Sequence, residues 1–158
     1  MADLPGEIGP MCSWSMVRAM PNARQALEIL TPSIPCHLAT NAQDSDPEQI
    51  RAALSRVGMD KLLSEIFCVK TIGQPKPSPE FFAEVSRRLG CDSERLAMVG
   101  DDLEKDVLGA KRCGIRAVWY NPNGQQFCPK GIDMITDLMQ LPSLFSSSGH
   151  VAARHADR

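Results

Sequence analysis

A chain of 158 residues with 43% hydrophobic and 23% charged residues can form one globular domain with a buried core. Its net charge of -2 argues against a nucleic-acid-binding protein that depends on phosphate contacts. The sequence contains no apolar run of membrane-spanning length, and its first residues lack the basic and apolar regions of a signal peptide. The 6 cysteines are scattered, so we expect free thiols and a cytoplasmic protein.

Taken in chain order, the predicted elements follow an irregular start. Residues 1–20 show no sustained periodicity, although residues 11–17 could form an extended segment. The core domain is predicted to cover residues 21–142, and residues 143–158 are predicted to be a disordered tail because they are rich in serine, histidine and arginine. The apolar runs predict strands over residues 36–40, 67–69, 96–99, 115–120 and 132–135. The helical patterns begin near residues 21, 48, 79, 102 and 136.

Strands therefore alternate with helices along the predicted core. This alternation is typical of a parallel sheet that helices cover on both faces through right-handed connections. We expect an α/β fold of the Rossmann-like type, a three-layer α/β/α sandwich around a mostly parallel sheet.

An acidic cluster follows the predicted strand 96–99. Asp101 and Asp102 come directly after Gly100, and Asp106 lies one helical turn beyond Asp102. Two interpretations remain open at this point. Asp102 could cap the following helix, or the acids could hold a hard divalent cation such as Mg²⁺, which would relieve the repulsion between adjacent carboxylates.

Two further polar groups follow predicted strands or precede a helix. Thr40 and Asn41 end the strand 36–40, and Lys76 precedes the helix that begins at residue 79. Because the carboxyl ends of parallel strands share one edge of a sheet, these groups and the acidic cluster should meet there. A hydroxyl, an ammonium and a cation-binding cluster together suit a phosphoryl group.

These motifs resemble those of the haloacid dehalogenase-like hydrolase superfamily. The second family motif is resembled by L-A-T-N, and the third by the lysine of G-Q-P-K-P-S-P-E-F-F. The fourth is resembled by V-G-D-D-L-E-K-D-V-L-G-A-K-R-C-G. The resemblance covers about residues 21–124. The resemblance implies a Rossmann-like core and magnesium-dependent hydrolysis of a phosphorylated small molecule or phosphoprotein. It also implies that Thr40 and Asn41 bind phosphate and that Lys76 holds the phosphate and the nucleophile. Magnesium would be held by Asp101 together with Asp102 or Asp106.

The first family motif, an apolar strand followed by D-x-D-G-T, is not found. Asp3 is the nearest nucleophile candidate, but Pro5 stands in the place of the second acid and Glu7 in the place of the threonine. The family places this motif on the central strand, so its loss would leave a gap that residues 11–17 would have to fill. The sequence also has no room for a sizeable cap domain after this motif, so we expect an open pocket.

The sequence leaves three functional hypotheses. The first is a phosphatase-type hydrolase that uses Asp3 or a nucleophile supplied upstream. The second is a catalytically impaired relative that binds magnesium or a phosphorylated ligand. The third is a truncated form of an active phosphatase.

Overall fold

The computed structural model describes residues 9–124 and 127–146. The strands are β1 (Leu38–Thr40), β2 (Ile66–Cys68), β3 (Ala97–Gly100), β4 (Arg116–Tyr120) and β5 (Asp133–Ile135). The α-helices are α1 (Ala23–Leu30), α2 (Pro47–Arg56), α3 (Val69–Ile72), α4 (Pro79–Leu89), α5 (Gly109–Arg112) and α6 (Leu141–Ser146). A π-helix, Leu103–Leu108, leads into α5, and 3₁₀ helices cover Met11–Ser13, Ser93–Arg95 and Leu138–Gln140.

Helix α4 illustrates how the local sequence sets an element. The Ser78 side chain accepts a hydrogen bond from the backbone N–H of Phe81, Pro79 occupies the first turn, and Gly90 ends the helix with φ at 58°. Each residue type suits its position, since serine caps, proline needs no hydrogen-bond partner there, and glycine adopts the left-handed conformation at no steric cost. The predicted helix over 79–89 is confirmed.

The strands pair in parallel, as the alternation predicts, but they form two sheets within the described residues. One sheet has the order β1-β2 and the other β3-β4-β5. The sequence predicted a gap at the place of the missing first motif unless residues 11–17 filled it, and among the described residues no strand joins β1 to β3. Residues 11–17, which we considered for that place, begin with the 3₁₀ helix Met11–Ser13 and form no strand.

Two apolar clusters cover opposite faces of the strands, because successive side chains of a strand point in opposite directions. On one face Leu30 of α1 and Leu141 of α6 pack with Val118 of β4. On the other face Phe82 of α4 and Ala110 of α5 pack in a cluster with Phe67 of β2. Helices therefore lie on both faces, and the predicted α/β fold is confirmed.

The structure differs from the sequence interpretation in several connections. Val69, predicted as the end of a strand, begins α3 instead. The last helix begins as the 3₁₀ turn Leu138–Gln140 and continues as α6 to Ser146, beyond the predicted start of the tail at residue 143. This extension follows from packing, since Leu144 and Phe145 contact the cluster around Val118. The described helices include none with the length and apolar character of a membrane span.

Candidate active site

Lys76 is the centre of the site. It is only 7% exposed, and its Nζ lies 2.6 Å from Oδ1 of Asp106 and 2.8 Å from the carbonyl oxygen of Ala39 in β1. Burial of an ammonium is unfavourable unless the charge is paired and hydrogen-bonded, and both conditions are met here. The ion pair thus connects the end of β1 to the helical segment that follows β3.

Asn41 fixes the main chain of Lys76. Its Nδ2 donates to the Lys76 carbonyl oxygen at 3.0 Å, and its Oδ1 accepts from the Lys76 backbone N–H at 2.8 Å. This pair of bonds mimics the pairing of two strands across the end of β1. Sequence analysis assigned Asn41 to phosphate binding, which stays a prediction; in the structure its side-chain amide positions Lys76.

Thr40 ends β1 between Ala39 and Asn41. Its Oγ1 accepts a hydrogen bond from the backbone N–H of Ala42 at 3.2 Å, and the residue is half-buried. The hydroxyl proton takes no part in this bond and remains available to donate. Thr40 therefore offers a donor at the strand end next to the Lys76 contact.

Asp106 is held in the interior by the π-helix and by close contact with Gly100. Its Oδ2 accepts from the backbone N–H of Asp102 at 3.3 Å, and a Cβ atom on Gly100 would overlap the Asp106 carboxylate. Residue 100 must therefore lack a side chain for Asp106 to reach Lys76. Widened helical turns of this kind occur often at functional sites.

Asp102 caps the helical segment that follows β3, as one of the two open interpretations predicted. Its Oδ1 accepts from the backbone N–H groups of Glu104 at 3.1 Å and Lys105 at 2.9 Å. The hydrogen bond from the Lys105 N–H is the main cause that lowers the pKa of the Asp102 carboxyl below its ordinary value. The Lys105 ammonium, largely exposed, lies 3.2 Å from Oδ2.

Asp101 is exposed, and its carbonyl oxygen accepts from Nε1 of Trp119 at 3.1 Å. Its carboxylate forms no hydrogen bond with the described residues. The Trp119 bond fixes the backbone of Asp101 at the end of β3, so the position of its side chain depends on a buried aromatic residue of the neighbouring strand. Sequence reasoning missed this contact, because nothing in the sequence marks the Trp119 indole as a donor to residue 101.

The predicted magnesium ligands are not equally free. Among the described residues, no three His, Cys, Asp or Glu side chains form a group that could hold a metal. Both oxygens of the buried Asp106 accept hydrogen bonds, whereas the Asp101 carboxylate is exposed and Oδ2 of Asp102 faces the largely exposed Lys105 ammonium. Mg²⁺ often uses one or two carboxylates together with waters and a substrate phosphate. The donor set therefore fits Mg²⁺ through Asp101 and Asp102 better than through Asp106.

The structure thus brings Asn41, Lys76 and Asp106 into direct contact beside Thr40. The nucleophile candidate Asp3 lies outside the described residues and stays a prediction. Sequence reasoning missed the Ala39 carbonyl, because a backbone oxygen has no sequence signal.

Comparison with known proteins shows the family of this chain. Residues 11–114 match the family model of haloacid dehalogenase-like hydrolases. A glyceraldehyde 3-phosphate phosphatase of Methanopyrus kandleri is 42% identical over 65 residues, which are 41% of this chain and 28% of that protein. A ribulose-1,5-bisphosphate 5-phosphatase of Halopiger xanaduensis is 29% identical over 72% of this chain and 47% of its own length.

The similarity extends to solved structures. The crystal structure of a HAD phosphatase from Thermococcus onnurineus superposes with a TM-score of 0.71 at 28% identity, covering 81% of this chain and 58% of that one. The chain thus spans little more than half the length of this structural relative and less than half of the two phosphatases above. Since the family model covers about two thirds of the sequence, the chain belongs to the haloacid dehalogenase-like hydrolase family.

Proposed function

We propose that this chain is a magnesium-dependent phosphatase of the cytoplasm. It binds the phosphate group with the residues described above and hydrolyses phosphate esters of a small molecule or a phosphoprotein. The observation that carries the proposal is the buried Lys76 ammonium, held between Asp106 and the Ala39 carbonyl beside the Thr40 hydroxyl. The names of the related phosphatases support the same reaction class.

Lys76 has one donor left for a substrate. An ammonium carries three N–H bonds, and two of them are directed to Asp106 and Ala39. The third can donate to a phosphate oxygen, while the Thr40 hydroxyl donates to another. Because Asp106 and Asn41 fix both ends of Lys76, the ammonium is oriented before the phosphate arrives, which reduces the entropy lost on binding.

Asp101 and Asp102 are the residues that would hold Mg²⁺, and Asp106 would act mainly through Lys76. When bound, Mg²⁺ supplies a Lewis acid that offsets the charge of the phosphoryl oxygens. Asp3 is the proposed nucleophile of this chain, since attack on phosphorus in this family requires a carboxylate.

The test is hydrolysis of para-nitrophenyl phosphate with and without Mg²⁺. Asp101→Asn should lower the rate at least tenfold, because it removes the charge of the most accessible carboxylate. Asp92→Asn is a matched control, since Asp92 precedes β3 whereas Asp101 follows it. The proposal would be contradicted if turnover did not depend on Mg²⁺, or if Asp101→Asn and Asp92→Asn lowered the rate equally.

A second candidate is a protein that binds a phosphorylated ligand without hydrolysing it. This candidate is favoured because, among the described residues, no strand lies between β1 and β3, where the family places the strand that carries its nucleophile. Calorimetric titration with inorganic phosphate distinguishes the two: binding that Lys76→Met abolishes, without turnover of the aryl phosphate, supports the second candidate. An in-frame apolar strand and D-x-D motif encoded upstream of residue 1 would instead support a truncated form of an active phosphatase.

A further inference from the structure

A cleft of about 550 Å³ lies alongside α4. Residues at helical spacing from Pro79 to Gly90 form one wall, and residues 91–93, Cys113 and Ile115 form the other. The second wall directly precedes β3 and β4, so it lies at the amino ends of these strands. The candidate active site lies at the carboxyl ends. The four residues of β3, which span roughly 13 Å, separate the second wall from the acidic segment.

The deepest part of the cleft is apolar. Phe82 and Ile115 line it and are themselves buried in the core. Cys113 is half-buried beside them, and burial raises the pKa of its thiol above the ordinary value, so the thiol stays uncharged at neutral pH. Sites for small organic molecules typically measure about 300–1,000 Å³ and are mostly apolar. Both the size and the lining of the cleft therefore suit the apolar body of a small molecule.

The two charged residues that line the cleft differ in their partners. The Arg87 guanidinium donates from Nε and Nη2 to the Glu84 carboxylate at 2.7 and 2.8 Å. Asp92 is exposed, and its carboxylate forms neither a hydrogen bond nor an ion pair within the part of the chain that the structure describes. A ligand can therefore neutralise Asp92 without breaking an existing pair, whereas an anion would have to compete with Glu84 for Arg87.

Two helices, α4 and α5, also end beside the cleft. The carboxyl end of a helix carries a partial negative charge, which basic residues of the last turn commonly offset. Here those basic residues bind other groups. Arg87 and Arg88 both contact Glu84 at 2.7 Å, and Arg112 contacts Glu104 at 2.6 Å. The helix ends and Asp92 therefore favour a positive charge at this end of the cleft.

We propose that this cleft binds a small organic ammonium ion with an apolar, ring-bearing body. The ammonium pairs with the Asp92 carboxylate, and the hydroxyl oxygens of Ser86 and Ser93 in the same lining are further acceptors for its N–H groups. The apolar body packs against Phe82 and Ile115. This site does not depend on the proposed phosphatase activity, because its lining includes none of the residues proposed to bind phosphate or Mg²⁺.

An NMR titration of the full chain at neutral pH tests the site. The probe is 4-phenylbenzylamine, which is an ammonium ion under these conditions, and its matched control is 4-phenylbenzoate, which has the same ring system and a negative charge. We expect the amine to bind with a Kd of about 1 mM or tighter. The amide signals of Ser86, Ser93 and Cys113 should shift, whereas those of Thr40 and Lys76 should not. The carboxylate should bind at least fivefold more weakly than the amine.

Three variants locate the binding. Asp92→Asn should weaken binding of the amine by about two- to fivefold, as expected for an exposed ion pair. Ala83→Trp, at an exposed position of the cleft wall, should abolish binding because the indole fills the cleft. Asp101→Asn is the matched control and should leave the Kd unchanged, since it removes the same charge at the opposite edge of the sheet. The proposal would be overturned by an absence of binding, by equal binding of the carboxylate, by shifts confined to the acidic segment, or by an unchanged Kd in Asp92→Asn or Ala83→Trp.

Discussion

The buried ion pair between Lys76 and Asp106 gives the sharpest prediction from this structure. Both residues are 7% exposed, and the pair is joined at 2.6 Å. Asp106→Asn keeps the shape of the side chain but removes its charge, so it leaves the Lys76 ammonium buried without a counter-ion. Loss of one partner of a buried pair costs about 3–5 kcal/mol in the free energy of unfolding.

We expect the lower end of this range, about 3 kcal/mol, because the Ala39 carbonyl still accepts from Lys76. For a chain of this length that loss corresponds to a decrease of roughly 6–12 °C in Tm. The assay is urea unfolding followed by circular dichroism, with thermal unfolding as a second measurement.

Glu84→Gln is the matched control. Glu84 accepts from Arg87 and Arg88 at 2.7 Å each, so its ion pairs are nearly as short, but they lie on the surface of α4. Surface pairs contribute little, so the control should lose far less stability than Asp106→Asn. If Glu84→Gln and Asp106→Asn lowered the free energy of unfolding equally, burial would not be the reason that the Lys76–Asp106 pair stabilises the protein.

A double variant separates the pair from its surroundings. In Lys76→Met with Asp106→Asn neither charge remains, so the double variant should be more stable than the sum of the two single losses predicts. Strict additivity would mean that the two side chains act independently in spite of their contact.

Three other predictions concern single positions. Gly100→Ala should destabilise the protein by about 1–3 kcal/mol in urea unfolding, since the new methyl group would overlap the Asp106 carboxylate; unchanged stability would contradict the packing described for the site. Arg51→Ala should cost roughly 1.5–3 kcal/mol in the same assay, because its guanidinium donates to three loop carbonyls, and Arg51→Lys should recover only part of the loss. Hydrogen bonds from Arg87 and Arg88 lower the pKa of Glu84 to about 2 from its ordinary 4.5, so its contribution is complete above that ordinary value and disappears as pH falls through about 2. The stability difference between the parent and Glu84→Gln should therefore shrink between pH 4.5 and 2, and a difference that grows on acidification would contradict this sign.

Two features of the site could be predicted from the sequence, because they depend on the alternation of strands with helices and on residue type. Parallel strands end at one edge, so the proximity of Thr40 and Lys76 to the acidic segment followed from the alternation of elements. The capping role of Asp102 was also foreseeable, since aspartate is a preferred residue at a helix start.

The parts that could not be predicted depend on tertiary contacts. The Ala39 carbonyl accepts from Lys76 at a point outside the β1-β2 ladder, and a backbone acceptor has no signal in the sequence. Likewise, the amide of Asn41 pairs with the main chain of Lys76 across 35 positions of the chain. The sequence around Asn41 and the sequence around Lys76 contain no local pattern that indicates this contact.

The division of the strands into two sheets also has a consequence for how the chain unfolds. No backbone ladder connects β1-β2 with β3-β4-β5, so side chains alone couple the two parts within the described residues. A two-stranded sheet of three-residue strands is marginally stable by itself. Cooperativity between the amino-terminal and carboxyl-terminal parts therefore depends on the apolar clusters around Phe82 and Val118 and on the Lys76 contact. We expect the smaller sheet to be the first unit to open under mild denaturing conditions.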